Sequence, residues 1–494
     1  MNSSAFFFIF FILLQISLSH SSLILPLTHS LSPTQYNTAH HLLKSTAARS
    51  ATRFHHHRNR NRNHRQVSLP LTPGSDYTLS FSLGSQTISL YMDTGSDIVW
   101  IPFHPFDCIL CEGKYNPISV PNPGPLNLTS ARPITCKHGA CSVIHSSAPS
   151  SDLCAIAKCS LEEIETGDCK ASPCPPFYYA YGDGSFIARL YEDTLSIPMS
   201  TPYFNLKKFT FGVAHSALGE PIGVAGFGRG PLSLPAQLAR DSPDIGNYFS
   251  YCLISHSFDT THVLRRPSPL ILGHRYSGEE RSKNELTVND NNGVVYSYTP
   301  MLENPKHPYF YCVGLEAISV GKRKIQAPNS MKRVDRKGNG GMVVDSGTTF
   351  TMLPAKFYDA VVSEFDTRVG AFYKRASEVE DRTGLSPCYY GDANEKFFRN
   401  VPQLVLHLGG NSTVVMPRRN YFYEFLENDR KVKRRVGCMM LMNGGAVADE
   451  EDPGGPAGLL GNYQQQGFEV VYDLEKKRIG FARRQCASLW DSLN

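Results

Sequence analysis

A chain of 494 residues with 41% hydrophobic residues has the apolar material for two large lobes around real cores, and one domain of that size would be unusual. Its formal net charge of +5 is modest and comes from local clusters, which argues against a nucleic-acid binder.

The chain opens with an apolar run, Ser4 to Leu14, too short to span a bilayer, followed by the small residues Ser17-Leu18-Ser19. No Lys or Arg precedes it. It reads as a secretory signal peptide over residues 1–19. No later stretch reads as transmembrane, and Ser488 to Asn494 carry no lipid-anchor tail, so a soluble, exported protein is expected. Residues 20–67 are Ser/Thr/His-rich and run into Phe54-His55-His56-His57-Arg58-Asn59-Arg60-Asn61-Arg62. This composition cannot build a core and reads as a pro-segment or leader. Either it is a disordered stretch that is trimmed away, or its basic groups cover an acidic cleft and leave as carboxylates protonate. Arg49, Arg53, Arg58, Arg60, Arg62 and Arg65 lie here, and Lys431 to Arg435 form a second cluster. Both read as solvated, because no aromatic residues interleave the Arg-Asn run to stack on bases.

From Tyr77 the pattern becomes β. Tyr77-Thr78-Leu79-Ser80-Phe81-Ser82-Leu83 alternates with a period of two, turns at Gly84-Ser85 and resumes at Thr87-Ile88-Ser89-Leu90. The hairpin delivers Asp93-Thr94-Gly95-Ser96. A matching turn, Asp345-Ser346-Gly347-Thr348, follows the apolar run Met342-Val343-Val344. Each is succeeded by two apolar residues and a glycine: Val224-Ala225-Gly226 in one half, Leu459-Leu460-Gly461 in the other. This internal repeat implies two halves, each placing one carboxylate at the bottom of a cleft. Two close carboxylates cannot both ionise easily, so they share a proton and can act as acid and base on a water. That chemistry is peptide hydrolysis.

Between the Asp turns, Cys108, Cys111, Cys136, Cys141, Cys154, Cys159, Cys169 and Cys174 cluster. Export makes them disulfide candidates. Cys108-Ile109-Leu110-Cys111 could also be half a zinc knuckle or a redox pair, but no second pair with a ligand pattern lies nearby. Tyr178-Tyr179-Ala180-Tyr181-Gly182-Asp183-Gly184-Ser185 reads as a β-hairpin able to fold over a cleft. A short helix is expected over Pro231 to Arg240, a lobe boundary in the polar stretch 265–295, and an amphipathic helix after Pro354 from the spacing of Phe357, Tyr358, Val361, Val362 and Phe365. Asn127-Leu128-Thr129 and Asn411-Ser412-Thr413 are glycosylation sequons. No Gly-x-Ser-x-Gly elbow offers a serine nucleophile.

In order and spacing, the paired Asp turns, their apolar-apolar-Gly partners, Trp100 and the Tyr181 hairpin resemble the pepsin-like aspartic proteases, specifically the plant nepenthesin-type branch, over roughly residues 75 to 486. The resemblance implies a mostly β, bilobal pepsin-like fold with the active-site cleft between two β-rich lobes. Residues 68–275 would form the N-terminal lobe with the Cys-rich insertion and flap, and 276–494 the C-terminal lobe. Asp93 and Asp345 become the catalytic dyad. Tyr181 is the flap tyrosine, beside Gly182 over the substrate, and Trp100 its hydrogen-bond partner. Ser96 and Thr348 hold the carboxylates from outside, and Thr94, Gly95, Ser346 and Gly347 complete the supporting turns. The family pattern suggests disulfides Cys252–Cys486 and Cys388–Cys438, leaving Cys312 as the free thiol.

The implied protein is an aspartic endopeptidase acting at acid pH on protein or peptide substrates. It would be a monomer with no cofactor, metal, nucleic acid or transmembrane anchor, located in the apoplast, cell wall or vacuole. The alternative is a non-catalytic, protein-binding or inhibitor-like member of the same fold, which would have no physical need for both Asp residues, both hydroxyls, the tryptophan and the flap tyrosine. Three positions depart from relatives: Phe103 where a cysteine is common, Arg189 where a glycine is usual, and Ser346 in place of threonine.

Overall fold

The computed structural model describes residues 23–29, 43, 44, 46–48, 50, 51, 53, 54, 77–109, 126–181, 184–197, 204–218, 223–255, 268–273, 287–289, 294–391, 397–429, 432–445 and 455–493. The expected signal peptide, the His/Arg run 55–65, Cys111, Gly182 and the side chain of Tyr181 lie outside them.

The first hairpin forms as its alternation requires. Tyr77, Leu79, Phe81 and Leu83 are buried and the residues between are half-exposed. Gly84 turns the chain at φ +56°, and the return strand Gln86–Asp93 pairs in register from Leu83↔Gln86 to Thr78↔Tyr91. The Asp93 strand then pairs in parallel with Val224–Gly226, placing Asp93 opposite Gly226. In the other half Met342–Val344 pairs in parallel with Gly458–Leu460. A crossing strand closes each pair antiparallel: Val99 against Ala225, and Met352 against Leu459. The repeat in the sequence is therefore a repeat of topology, and it brings each Asp to the end of a buried strand.

Glycine is obligatory where the crossing chain passes. A Cβ at Gly226 would lie 2.5 Å from the Ile98 carbonyl oxygen, and one at Gly461 would lie 2.4 Å from that of Thr349. Gly226→Ala should destabilise by about 1–3 kcal/mol through overpacking. Urea denaturation should show it as a lowered midpoint with an unchanged m-value.

The halves are joined by strand pairing. Tyr248–Cys252 pairs with Phe468–Asp473, which pairs with Arg478–Arg483, which pairs with Val295–Leu302. The leader enters this same sheet: Leu23–His29 runs antiparallel to Ser268–Leu272 and then meets the Tyr77 strand. The described residues between 43 and 54 are helical. The leader, read from composition as unable to build a core, packs onto the body of the protein: Leu43, Ala47, Ser50 and Phe54 share one helical face and are buried there. Leu43 and Ala47 pack with Phe350, Val379, Leu385 and Tyr463, and Phe54 packs with Met352 and Leu459.

The helix after Pro354 spans Ala355–Val369 and buries Phe357, Tyr358, Val361, Phe365 and Val369. The shorter one, Leu234–Asp241, is capped by the Ser233 hydroxyl. The Cys-rich insertion carries three short helices, Gly139–Ile144, Ser150–Ile156 and Leu161–Thr166. Bridges Cys136–Cys154, Cys141–Cys174 and Cys159–Cys169 staple it. These cystines share a cluster with Trp100, Phe177 and Phe186, so the insertion buttresses the root of the Tyr181 hairpin. Cys108 is disulfide-bonded as well.

Cys252–Cys486 ties the joining sheet to the C-terminal helix Cys486–Leu493, and Cys388–Cys438 links directly opposed strand residues. Cys312 is a free, buried thiol, and burial pushes its pKa up to about 12. No helix among the described residues is long and apolar enough to cross a membrane.

Candidate active site

Asp93 and Asp345 meet at the junction of the two halves, buried and hydrogen-bonded to each other. Each Oδ1 accepts the backbone N–H of its own turn at 2.8 Å, from Gly95 and from Gly347 respectively. The turns interlock. Thr94 Oγ1 accepts from Ser346 N at 2.9 Å and donates to Val344 O at 3.1 Å. Reciprocally, Ser346 Oγ accepts from Thr94 N at 3.0 Å and donates to Met92 O at 3.1 Å. Serine at 346 therefore does what threonine would. The glycines leave room for the opposite carboxylate: a Cβ at Gly95 would sit 2.8 Å from Asp345 Oδ1, and one at Gly347 would sit 2.3 Å from Asp93 Oδ1.

Side chains behind the second turn brace it. Asn462 Nδ2 donates to Ser346 O at 2.9 Å, and Gln465 Nε2 donates to Asp345 O at 3.1 Å and to Leu460 O at 2.8 Å.

The outer oxygens are treated differently. Thr348 Oγ1 donates to Asp345 Oδ2 at 2.6 Å, as the resemblance implies. Ser96 Oγ has no hydrogen-bond partner among the described residues. Asp93 Oδ2 instead takes Arg53 Nη2 at 2.6 Å, while Arg53 Nη1 donates to Gly347 O at 2.7 Å. Arg53, read from the sequence as a solvated charge, is a buried one, with side-chain exposure of 5% against 3% for Asp93. A bare guanidinium would not be buried; an ionised carboxylate and a carbonyl at its tip make the site tolerable.

These contacts split the pair. Burial, then the Asp93 charge, pushes the Asp345 carboxyl up to about 7. Burial pushes Asp93 up too, but the Arg53 charge and the hydrogen bonds from Asp345 and Gly95 outweigh it and hold Asp93 below its usual value. The two carboxyls are thus shifted in opposite directions.

The Tyr181 hairpin is formed by Phe177–Tyr181 and Gly184–Ile197, with Tyr181 in register with Gly184. Trp100 is buried, its Nε1 has no hydrogen-bond partner among the described residues, and its ring stacks on Phe186 at 4.5 Å. Arg189 is half-buried on the same strand, opposite Val213. The sequon residues Asn127 and Asn411 are exposed, the latter at φ +60° in the turn before Ser412–Val415.

Sequence reading missed Arg53, Asn462, Gln465 and a contact between Tyr179 and Asp97. For Arg53 a signal existed: Leu43, Ala47, Ser50 and Phe54 keep helical spacing just ahead of the His run. For the others no motif stood out.

Two family models match the chain, "Xylanase inhibitor N-terminal" over residues 77–273 and "Xylanase inhibitor C-terminal" over 310–483. A protein named "Probable aspartyl protease" from Arabidopsis thaliana is 54% identical over 100% of both chains. The aspartic proteinase nepenthesin-2 of Nepenthes gracilis is 25% identical, covering 91% of this chain and 87% of its own. Among solved structures, basic 7S globulin from soybean superposes with a TM-score of 0.57 at 16% identity over 95% of this chain and 99% of that one. A structure titled edgp gives 0.58 at 18% identity over 95% and 96%. The two solved structures share the fold.

Proposed function

The chain belongs to the plant pepsin-like aspartic protease family, and on that premise we propose that it is an exported aspartic endopeptidase, made as a precursor, that cleaves peptide bonds at acid pH with a water activated between Asp93 and Asp345. The observation that carries this is the buried pair of interlocked Asp turns, whose two carboxyls are shifted in opposite directions. Ionised Asp93 takes a proton from the water as it attacks the scissile carbonyl, and protonated Asp345 donates a hydrogen bond to the carbonyl oxygen. The tetrahedral diol collapses as the leaving nitrogen gains a proton. Neither a covalent intermediate nor a metal takes part. Tyr181 and Gly182 close over the substrate from the flap, with Trp100 behind them. Residues 68–275 and 276–494 serve as the two lobes, and Asn127 and Asn411 are exposed where glycans could attach.

In this reading residues 20–67 are an inhibitory pro-segment. Arg53 occupies the oxygen of Asp93 that would hold the water, and the helical face ending in Phe54 holds it there. Removal of the leader restores the shared proton, and the apparent pKa values then belong to the pair.

The test is cleavage of a denatured protein by the secreted, acid-treated product across roughly pH 2 to 7, where a two-carboxylate mechanism places the optimum on the acid side. Activity should vanish with pepstatin, a statine mimic of the diol. Correctly folded, processed protein that cleaves nothing would leave the binding reading, which the description of the family models also favours, as the function.

A further inference from the structure

The root of the flap is fastened to the catalytic turn. Tyr179 lies two residues before Tyr181 on the same face of its strand. Its hydroxyl donates to Asp97 Oδ1 at 2.5 Å, and Asp97 is only four positions beyond Asp93. Asp97 is itself closely seated: a Cβ at Gly230 would fall 2.5 Å from Asp97 Cβ. A second fastening runs parallel to the first. The cross-strand partner of Tyr179 is Phe186, whose ring stacks on Tyr179 at 5.5 Å and on Trp100 at 4.5 Å. One hydrogen bond and a three-ring stack thus join both flap strands to the segment 97–100.

We propose that the Tyr179–Asp97 hydrogen bond is a positioning contact that sets the flap root against the Asp93 turn, so that substrate meets a lid already aligned over the dyad. The role rests on the protease reading; the contact itself does not. Without the bond the hairpin keeps its stack but samples open orientations, and substrate must supply the closing free energy. Affinity then falls while the chemical step, once closed, is unchanged.

Three variants separate this from a general packing role. Tyr179→Phe keeps the ring and removes the donor, Asp97→Ala removes the acceptor, and Asp97→Asn retains an acceptor oxygen. In processed enzyme, Tyr179→Phe and Asp97→Ala should each raise KM for a long peptide about tenfold, the range of a hydrogen bond to a charged group, with kcat within about twofold. The double variant should match either single, and Asp97→Asn should restore most of the affinity. Backbone hydrogen exchange over residues 180–185 in the full-length chain should rise in the first two variants and stay low in Asp97→Asn. Unchanged KM and exchange, effects that add in the double variant, or Asp97→Asn behaving like Asp97→Ala would each overturn the proposal. A wild-type chain that cleaves nothing removes the protease reading, and the exchange measurement still decides whether the contact holds the flap.

Discussion

Asp345→Asn is expected to fold, to dock its leader normally and to cleave nothing. Asparagine keeps one oxygen for the Gly347 N–H, and its NH2 takes the place of Oδ2 and can donate to the Thr348 hydroxyl, which turns from donor to acceptor. It cannot give up a proton, and the loss of one partner in acid–base catalysis alone removes about 10²–10⁴ in rate. Because the two carboxylates act as a unit, Asp93→Asn and the double variant should fall to the same floor. The two single variants differ in another respect. Asp93→Asn also removes the anion that holds Arg53, so its leader should become protease-sensitive at neutral pH while that of Asp345→Asn stays protected. Limited proteolysis beside an activity assay separates the two losses, and residual pepstatin-sensitive cleavage in either variant would contradict the assignment.

Arg53→Ala should have the opposite effect, switching on a precursor that is otherwise silent. Breaking a buried ion pair by removing one partner costs about 3–5 kcal/mol, equivalent to roughly 10²–10⁴ in the ratio of closed to open cleft. Full-length Arg53→Ala should therefore cleave substrate at mildly acid pH with its leader still attached.

The wild-type precursor should need stronger acid, and the sign follows from the dyad. Asp93 is held below its ordinary value of 3.8 when the leader is docked. Its contribution to docking is complete above that ordinary value and is lost as pH falls through the depressed one. Arg53 cannot release its own proton, so the carboxylate must gain one. On the proposed reading the precursor should stay shut until pH falls through the depressed Asp93 value. Stopped-flow activity after pH jumps, read for wild type and Arg53→Ala together, checks this. Equal pH thresholds in the two would show that the ion pair is not the lock.

Much of this was legible in the chain because local patterns carried it. The Tyr77–Leu83 alternation, the Phe357/Val361/Phe365 spacing and the two Asp turns are short-range features whose periods match their elements, and the structure shows those elements. The serine at 346 and Cys312 also behave as their sequence context implied. Arg53 did not. Its neighbours are basic and polar, and composition described a solvated leader. The Ser96 hydroxyl, placed on Asp93 by the resemblance, stands apart because Arg53 fills that oxygen.

By itself, then, the sequence determined two β-rich halves, each ending a buried strand in a carboxylate, since repeat, period and turn residues are properties of neighbouring positions. Only the tertiary structure decided what lies against each carboxylate. Arg53 reaches Asp93 from 40 positions away, Tyr179 reaches Asp97 from 82, and the interlocking threonine and serine from 252. The protonation of a buried carboxylate depends on the charges and donors packed around it, and those are assembled by chain folding rather than by adjacency.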